Sequence, residues 1–181
     1  MSPPTALLLS ILVILALPST LAQPPGDASA VLLAISRTLN LSLSSTAATF
    51  DLSIDPDLCT AAQSPCFVVD AAAASGDAGG PVQVKVVGTR ASELGYGVGW
   101  YLKTFANMSF AWERAGGNQV QLPMHGAWPA TGGAITKTKK KPWSYYQNVC
   151  TGSYSMWWWG WTRWEREIDW MLLHGVNIAL A

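Results

Sequence analysis

Residues 143–181 constrain the fold more than any other part of the chain. They hold seven of the ten tryptophans and read as strand (145–150), aromatic loop (151–160), amphipathic helix (161–173) and strand (176–181). Within the helix, one face is apolar, and it comprises Trp161, Trp164, Ile168, Met171 and Leu172. Arg163 with Glu167 and Arg166 with Asp169 are spaced for ion pairs on the other side. His174 and Gly175 can end the helix, with a cationic ring at its C-terminus and a left-handed glycine.

Strand, helix and strand of this length form one βαβ unit. The second strand is almost wholly apolar, as a strand buried on both faces would be. One such unit cannot bury both faces of its sheet, so we expect a parallel α/β domain that continues beyond Ala181.

Residues 23–122 predict a small α+β domain with a sheet covered on one face, and 123–142 predict a linker. Apolar spacing indicates a helix at 28–39, capped by Asp27 or Ser29, strands at 50–54, 67–71 and 82–86, and a hairpin at 108–122. A second helix follows Ser92. Its three glycines, Gly95, Gly97 and Gly99, each cost about 1 kcal/mol relative to alanine, so this helix must depend on packing.

The first 22 residues predict a cleaved signal peptide, and an uncleaved anchor is the alternative. The apolar run at 6–17 is short for a bilayer, and small residues Thr20 and Ala22 suit signal peptidase. A secretory route, to a lysosome, a vacuole or the exterior, follows, with no stable membrane insertion after cleavage. Asn40 and Asn107 then lie in N-glycosylation triplets, and Cys59 and Cys66 can form a local disulfide.

Composition and charge exclude several chemistries. Net charge is zero and only 12% of residues are charged, which argues against a nucleic-acid partner. The lysines of the basic run are read as a solvated linker; they are Lys137, Lys139, Lys140 and Lys141. His125 and His174 have no metal-ligand spacing, so no metal site is predicted.

Three carboxylates on the 161–173 helix are a tempting acid–base set, namely Glu165, Glu167 and Asp169. They lie on a helix, whereas barrel active sites lie at the C-terminal ends of strands, so ion pairs or a contact with the N-terminal domain explain them better. Asn148 and Cys150 alternate onto one face near the end of the first strand, where either core packing or a pocket is consistent with their spacing. Tyr154 and residues 157–159 can stack on sugars or fill a domain contact.

Several segments carry a family resemblance. They read YYQNVCT at 145–151, SYS at 153–155, WW at 158–159, WEREIDWM at 164–171 and GVNIALA at 175–181. They resemble the α-N-acetylglucosaminidases, glycoside hydrolase family 89, and a weaker similarity covers 82–122. The resemblance implies a small N-terminal domain followed by a (β/α)₈ TIM barrel, of which 143–181 would be the first β-α-β. It also implies that Asn148 and Cys150 line a pocket for terminal N-acetylglucosamine.

The resemblance implies an activity as well. Family members remove terminal α-linked N-acetylglucosamine from glycans such as heparan sulfate with retention, using two glutamates and no cofactor. No catalytic residue is assigned within this sequence: both glutamates are expected beyond Ala181, and the 181-residue chain is expected to be inactive and unstable alone. A secreted carbohydrate-binding module and a partner-binding subunit are the alternatives.

Overall fold

The computed structural model describes residues 27–73, 80–111, 117–148, 150 and 152–179. The predicted signal segment 1–22 lies outside them, as do residues 74–79. The helices are α1 (Ala28–Leu39), α2 (Leu43–Thr49), α3 (Ala91–Thr104) and α4 (Trp161–Leu173). The strands are β1 (Phe50–Ile54), β2 (Cys66–Ala73), β3 (Val82–Gly88), β4 (Ile135–Thr138), β5 (Tyr145–Tyr146) and β6 (Ile178–Ala179).

A four-stranded mixed sheet organises the N-terminal domain in the order β1-β3-β2-β4. β1 runs parallel to β3, whereas β2 is antiparallel to both β3 and β4. α1 and α3 pack on it, because the alternating valines of β3 bury Val84 and Val86 while Gln83 and Lys85 stay exposed. The core they enclose includes Val31, Ile35, Phe67, Val69, Leu94, Val98, Tyr101 and Leu102. The predicted helix at 28–39 is confirmed to the residue, with Asp27 as its cap.

Glycines in α3 let this helix lie between the sheet and the C-terminal unit. A Cβ on Gly97 would lie 2.8 Å from the Val86 side chain, and one on Gly99 would lie 2.0 Å from the Leu173 carbonyl oxygen. No side chain fits at such distances, so α3 depends on close packing, as predicted.

The C-terminal unit is the predicted strand–helix–strand. β5 and β6 pair in parallel, with α4 between them in the chain. α4 packs against α3 and α1, which joins this unit to the N-terminal domain. The described strands differ from the prediction: β5 ends at Tyr146, and β6 begins at Ile178 rather than at Val176, with residues 180–181 outside the described part. Ile178 and Ala179 are exposed rather than buried on both faces, because each strand of a two-stranded sheet has an open outer edge.

Residues 123–142 are not a linker. They include β4, which pairs with β2 at the sheet edge, and Trp128, which is buried with its ring 5.3 Å from that of Phe50. The short strand and single buried tryptophan carry too little periodicity to be recognised in the sequence.

Local chemistry corrects three further predictions. α2 was missed because its Ser, Thr and Ala residues show no apolar stripe. α3 begins after Arg90, and Ser92 donates to Glu93 instead of capping the helix. The expected hairpin at 108–122 is represented by one bridge between Ser109 and Gln119, and residues 112–116 lie outside the described part.

The buried face of α4 differs from the predicted apolar stripe. Trp161 and Ile168 are exposed at 69% and 44%, whereas Glu167 and Asp169 are buried. These carboxylates face the interior because arginine and tyrosine side chains form ion pairs and hydrogen bonds with them there, as described below.

Two further features of the fold are a disulfide bond and the absence of a membrane-spanning helix among the described residues. Cys59, in the loop that follows β1, forms a disulfide with Cys66, the first residue of β2. Across the described residues, no helix is both long enough and apolar enough to cross a bilayer.

Candidate functional site

Asn177, which precedes β6, forms hydrogen bonds with the residues that precede β5. The Ser144 amide donates to Asn177 Oδ1 at 2.7 Å, and the Asn177 amide donates back to the Ser144 carbonyl at 3.0 Å. Asn177 Nδ2 also donates to the Pro142 carbonyl at 2.7 Å. The one polar residue of the predicted apolar strand therefore sets the register of the parallel pair.

Tyr146, the last residue of β5, faces helix α4. Its hydroxyl donates to Glu167 Oε1 at 2.6 Å, and its ring centroid lies 5.2 Å from that of Trp170. Burial, reinforced by the Glu167 carboxylate, raises the pKa of Tyr146, so the phenol keeps its proton and remains a donor.

Asn148 and Cys150 are brought together by a turn rather than by strand alternation. Asn148 Oδ1 accepts a 2.7 Å hydrogen bond from the Cys150 amide, and Cys150 is an exposed free thiol. The preceding Gln147 is anchored separately, since its Nε2 lies 2.7 Å from the sulfur of buried Met156. Val149 and Thr151 lie outside the described residues.

Aromatic side chains form an exposed group after this turn. Residues 152–156 form a π-helical turn, followed by Trp157 and Trp158, whose ring centroids are 3.7 Å apart. Tyr154, Trp157 and Trp158 are exposed at 82%, 62% and 74%, so no contact with the described residues buries them. Trp159 instead lies against Trp164 and under the Arg163 guanidinium.

The carboxylates of α4 form ion pairs, as expected. Glu167 pairs with Arg163 at 2.9 Å. Asp169 accepts two hydrogen bonds from Arg37 of α1, at 2.6 and 2.8 Å, and Glu165 lies 3.7 Å from the same guanidinium. Burial raises the pKa of Asp169 and Arg37 opposes that rise, while Asp169 raises the pKa of Arg37 and keeps it charged.

Lys139 is not part of a solvated run. Its ammonium donates to Glu93 Oε1 at 3.1 Å and to the Gly175 carbonyl at 2.9 Å, and the Glu93 side chain is fully buried. Lys137 lies over the Trp100 ring at 5.4 Å. The sequence carried no signal for this link, because Glu93 and Lys139 are 46 residues apart.

His174 is not the cationic helix end that the sequence suggested. Its Nδ1 lies 2.7 Å from the Trp170 carbonyl and its ring stacks on that of Trp170. Burial lowers the pKa of His174, with a smaller contribution from Lys103. Gly175 does end the helix with a left-handed backbone, at φ +70°. Within the described ranges no group of three metal-binding side chains occurs.

Comparison with solved structures shows the class of fold. Three structures of a family 89 glycoside hydrolase from Clostridium perfringens match with a TM-score of 0.69 and 24% identity, over 85% of this chain and 16% of theirs. One holds its substrate GlcNAc-α-1,4-galactose, and the others hold 2-acetamido-1,2-dideoxynojirmycin and PUGNAc. The chain therefore shares its fold with part of that protein.

Sequence families make the assignment specific. The α-N-acetylglucosaminidase N-terminal domain family matches residues 30–130, and the TIM-barrel domain family of the same enzymes matches 144–181. This chain therefore belongs to the α-N-acetylglucosaminidase family, glycoside hydrolase family 89. The human α-N-acetylglucosaminidase is 46% identical over 103 residues, which are 57% of this chain and 13% of that relative.

Proposed function

We propose that this chain supplies the N-terminal domain and the first β-α-β of the barrel of a retaining exo-α-N-acetylglucosaminidase. The substrate would be a glycan ending in α-linked N-acetylglucosamine, such as heparan sulfate. The supporting observation is that the two family matches cover 30–130 and 144–181, with α4 packed against α1 and α3 of the N-terminal domain.

Asn148 and Cys150 are the proposed substrate contacts. With its Oδ1 committed to the Cys150 amide, Asn148 presents the Nδ2 group, a donor that suits a sugar hydroxyl or an acetamido carbonyl. The exposed thiol of Cys150 lies beside it in the same turn. A small polar turn at the end of the first barrel strand is where such barrels contact substrate.

The two catalytic carboxylates are proposed to lie outside residues 1–181. Retaining hydrolysis needs a nucleophile and an acid–base residue on either side of the bond. The buried α4 carboxylates, Glu167 and Asp169, are held by Arg163, Tyr146 and Arg37, which makes them unsuitable for either role. We therefore expect no hydrolysis by this chain alone.

A secretory destination fits the same function. Asn40 and Asn107 are both exposed, as glycan attachment requires, and a disulfide suits an oxidising compartment. Residues 1–22 would direct the chain there, and the final location would be a lysosome, a vacuole or the exterior.

Hydrolysis of an aryl α-N-acetylglucosaminide tests the proposal. The longer protein that carries this sequence should release the aryl group and an α-configured sugar, whereas purified residues 23–181 should release none. In the longer protein, Asn148→Ala should raise KM by about tenfold or more through a lost sugar hydrogen bond. Absence of hydrolysis by the longer protein, or product of inverted configuration, would refute the assignment.

A carbohydrate-binding role without catalysis is the second candidate. The exposed Tyr154, Trp157 and Trp158 offer ring faces on which pyranose C–H surfaces can stack. Calorimetry of residues 23–181 with N-acetylglucosamine-terminated oligosaccharides would detect it. Binding that is lost in Trp158→Ala but retained in Asn148→Ala would favour this role.

A further inference from the structure

Glu167 is the most completely buried carboxylate of the C-terminal unit. Its side chain is 1% exposed, yet both of its oxygens are satisfied: Oε1 accepts from the Tyr146 hydroxyl at 2.6 Å and Oε2 accepts from Arg163 at 2.9 Å. Burying a carboxylate is unfavourable unless its partners hold a defined geometry. This group therefore fixes the positions of both partners.

Tyr146 connects Glu167 to the proposed sugar-binding turn. It is the last residue of β5 and lies two residues before Asn148. Its ring is held at the same time by Trp170 of α4. The next residue, Gln147, is hydrogen-bonded to the sulfur of Met156. The chain that leads to Asn148 and Cys150 is therefore held at both Tyr146 and Gln147.

We propose that Glu167 is a positioning residue that acts through the Tyr146 hydroxyl to fix the turn carrying Asn148 and Cys150. The inference rests on the proposed function for the substrate-binding role of that turn. Glu167 itself touches no substrate: it faces the helix side of β5 and takes no part in bond cleavage.

Asp169 provides a matched control on the same helix. It is also buried and also paired with an arginine, but that partner, Arg37, belongs to α1 rather than to the strand–helix–strand unit. A merely structural role for buried α4 carboxylates predicts the same behaviour for both residues. A positioning role predicts different behaviour.

The first experiment measures KM and kcat on an aryl α-N-acetylglucosaminide in the longer protein. Glu167→Gln and Tyr146→Phe should each raise KM by about tenfold and leave kcat within about threefold, since a misplaced contact weakens binding. Tyr146→Phe keeps the ring on Trp170, so folding is retained if Glu167→Gln is poorly stable. The double variant should be no worse than the worse single variant, and Asp169→Asn should leave KM unchanged.

The second experiment measures the rate of Cys150 alkylation by iodoacetamide and needs no activity. Cys59 and Cys66 are in a disulfide, so among the described cysteines Cys150 reports alone. Both variants should raise the rate by about threefold or more, because the turn becomes less restrained, while Asp169→Asn should not.

The outcomes separate the two proposals. Equal alkylation rates in all four proteins, or equal changes in Glu167→Gln and Asp169→Asn, would overturn the positioning role. A changed alkylation rate with unchanged KM would show that the turn is positioned but does not bind substrate, which overturns the link to catalysis. An inactive parent protein whose alkylation rates still change as expected would reject the proposed function and leave the positioning role standing.

Discussion

At the scale of single residues, the decisive interactions are buried charges with partners far away in the chain. Lys139 connects three elements, because it follows β4, pairs with Glu93 in the first turn of α3 and donates to the carbonyl of Gly175 after α4. Thr89 and Ser92 also approach Glu93. Removing the ammonium would leave a buried carboxylate without its cation.

Lys139→Met should lower the free energy of unfolding by about 3 kcal/mol, the usual effect of breaking a buried pair from one side. Chemical denaturation of the variant and the parent would measure it. Lys141→Met, at an exposed lysine two residues later, should change stability by less than about 0.5 kcal/mol. Equal effects of the two substitutions would contradict the buried link.

The pH dependence of stability should include a contribution from His174. Because burial lowers its pKa below the ordinary 6.5, the unfolded chain is protonated first as the pH falls. The free energy of unfolding is therefore unaffected by His174 above that pH and declines below it, until the lower pKa of the folded protein is reached. Thermal unfolding at pH 7.5 and pH 5.5 should show a smaller decline in His174→Gln than in the parent, and an identical decline would argue against burial of a neutral imidazole.

At the scale of elements, α3 has a low intrinsic helix propensity and is stabilised by packing against neighbouring elements. Its three glycines reduce intrinsic helicity, yet the helix spans 14 residues because one face packs on β2 and β3 and the other on α4. The near approach of α4 is possible only because position 99 has no side chain.

Gly99→Ala should destabilise the protein although alanine is the better helix former. Propensity favours the substitution by about 1 kcal/mol, but a Cβ 2.0 Å from the Leu173 carbonyl oxygen must separate α3 from α4. A net loss of about 1–3 kcal/mol is expected from such overpacking. The control is Gly152→Ala, where nothing lies within 4 Å of the added methyl group. A higher melting temperature for Gly99→Ala would show that the two helices are not in contact.

At the scale of the whole molecule, α4 joins the C-terminal strand–helix–strand unit to the N-terminal domain. Arg37 of α1 donates hydrogen bonds to Asp169, and Lys139 donates to the Gly175 carbonyl. The Trp170 indole donates to the Phe110 carbonyl at 3.2 Å. These contacts join residues that are separated by up to 132 positions. Helix α4 is therefore oriented by the preceding domain.

The Arg37 and Asp169 pair should show measurable coupling. In a double-mutant cycle of Arg37→Met and Asp169→Asn, the interaction should be about 1 kcal/mol, since the guanidinium is partly exposed. A cycle of Arg37→Met with Glu167→Gln is the comparison, because Glu167 pairs elsewhere, and it should give a value near zero. Coupling of the same size in both cycles would mean that Arg37 acts non-specifically.

Prediction from sequence succeeded where the signal was local. α1 and α4 were placed to the residue, because apolar spacing and a cap lie within the segment itself. β4 and the Lys139 link were missed, since both depend on partners that no local pattern reveals. The residues of the candidate site come from the family motif and stay a proposal. Their geometry differs from the expected one: alternation predicted a strand through Cys150, whereas Asn148 Oδ1 accepts a hydrogen bond from the Cys150 amide in a turn.

The sequence by itself determined the positions of α1 and α4, the strand–helix–strand at 143–181 and the family to which the chain belongs. These follow from periodicity and motif, which are properties of neighbouring residues. Only the tertiary structure decided which face of α4 is buried, that Glu167 supports Tyr146 and that Lys139 is inside the protein. Burying a charge is favourable only when a distant partner completes it, and the position of that partner is a property of the folded chain.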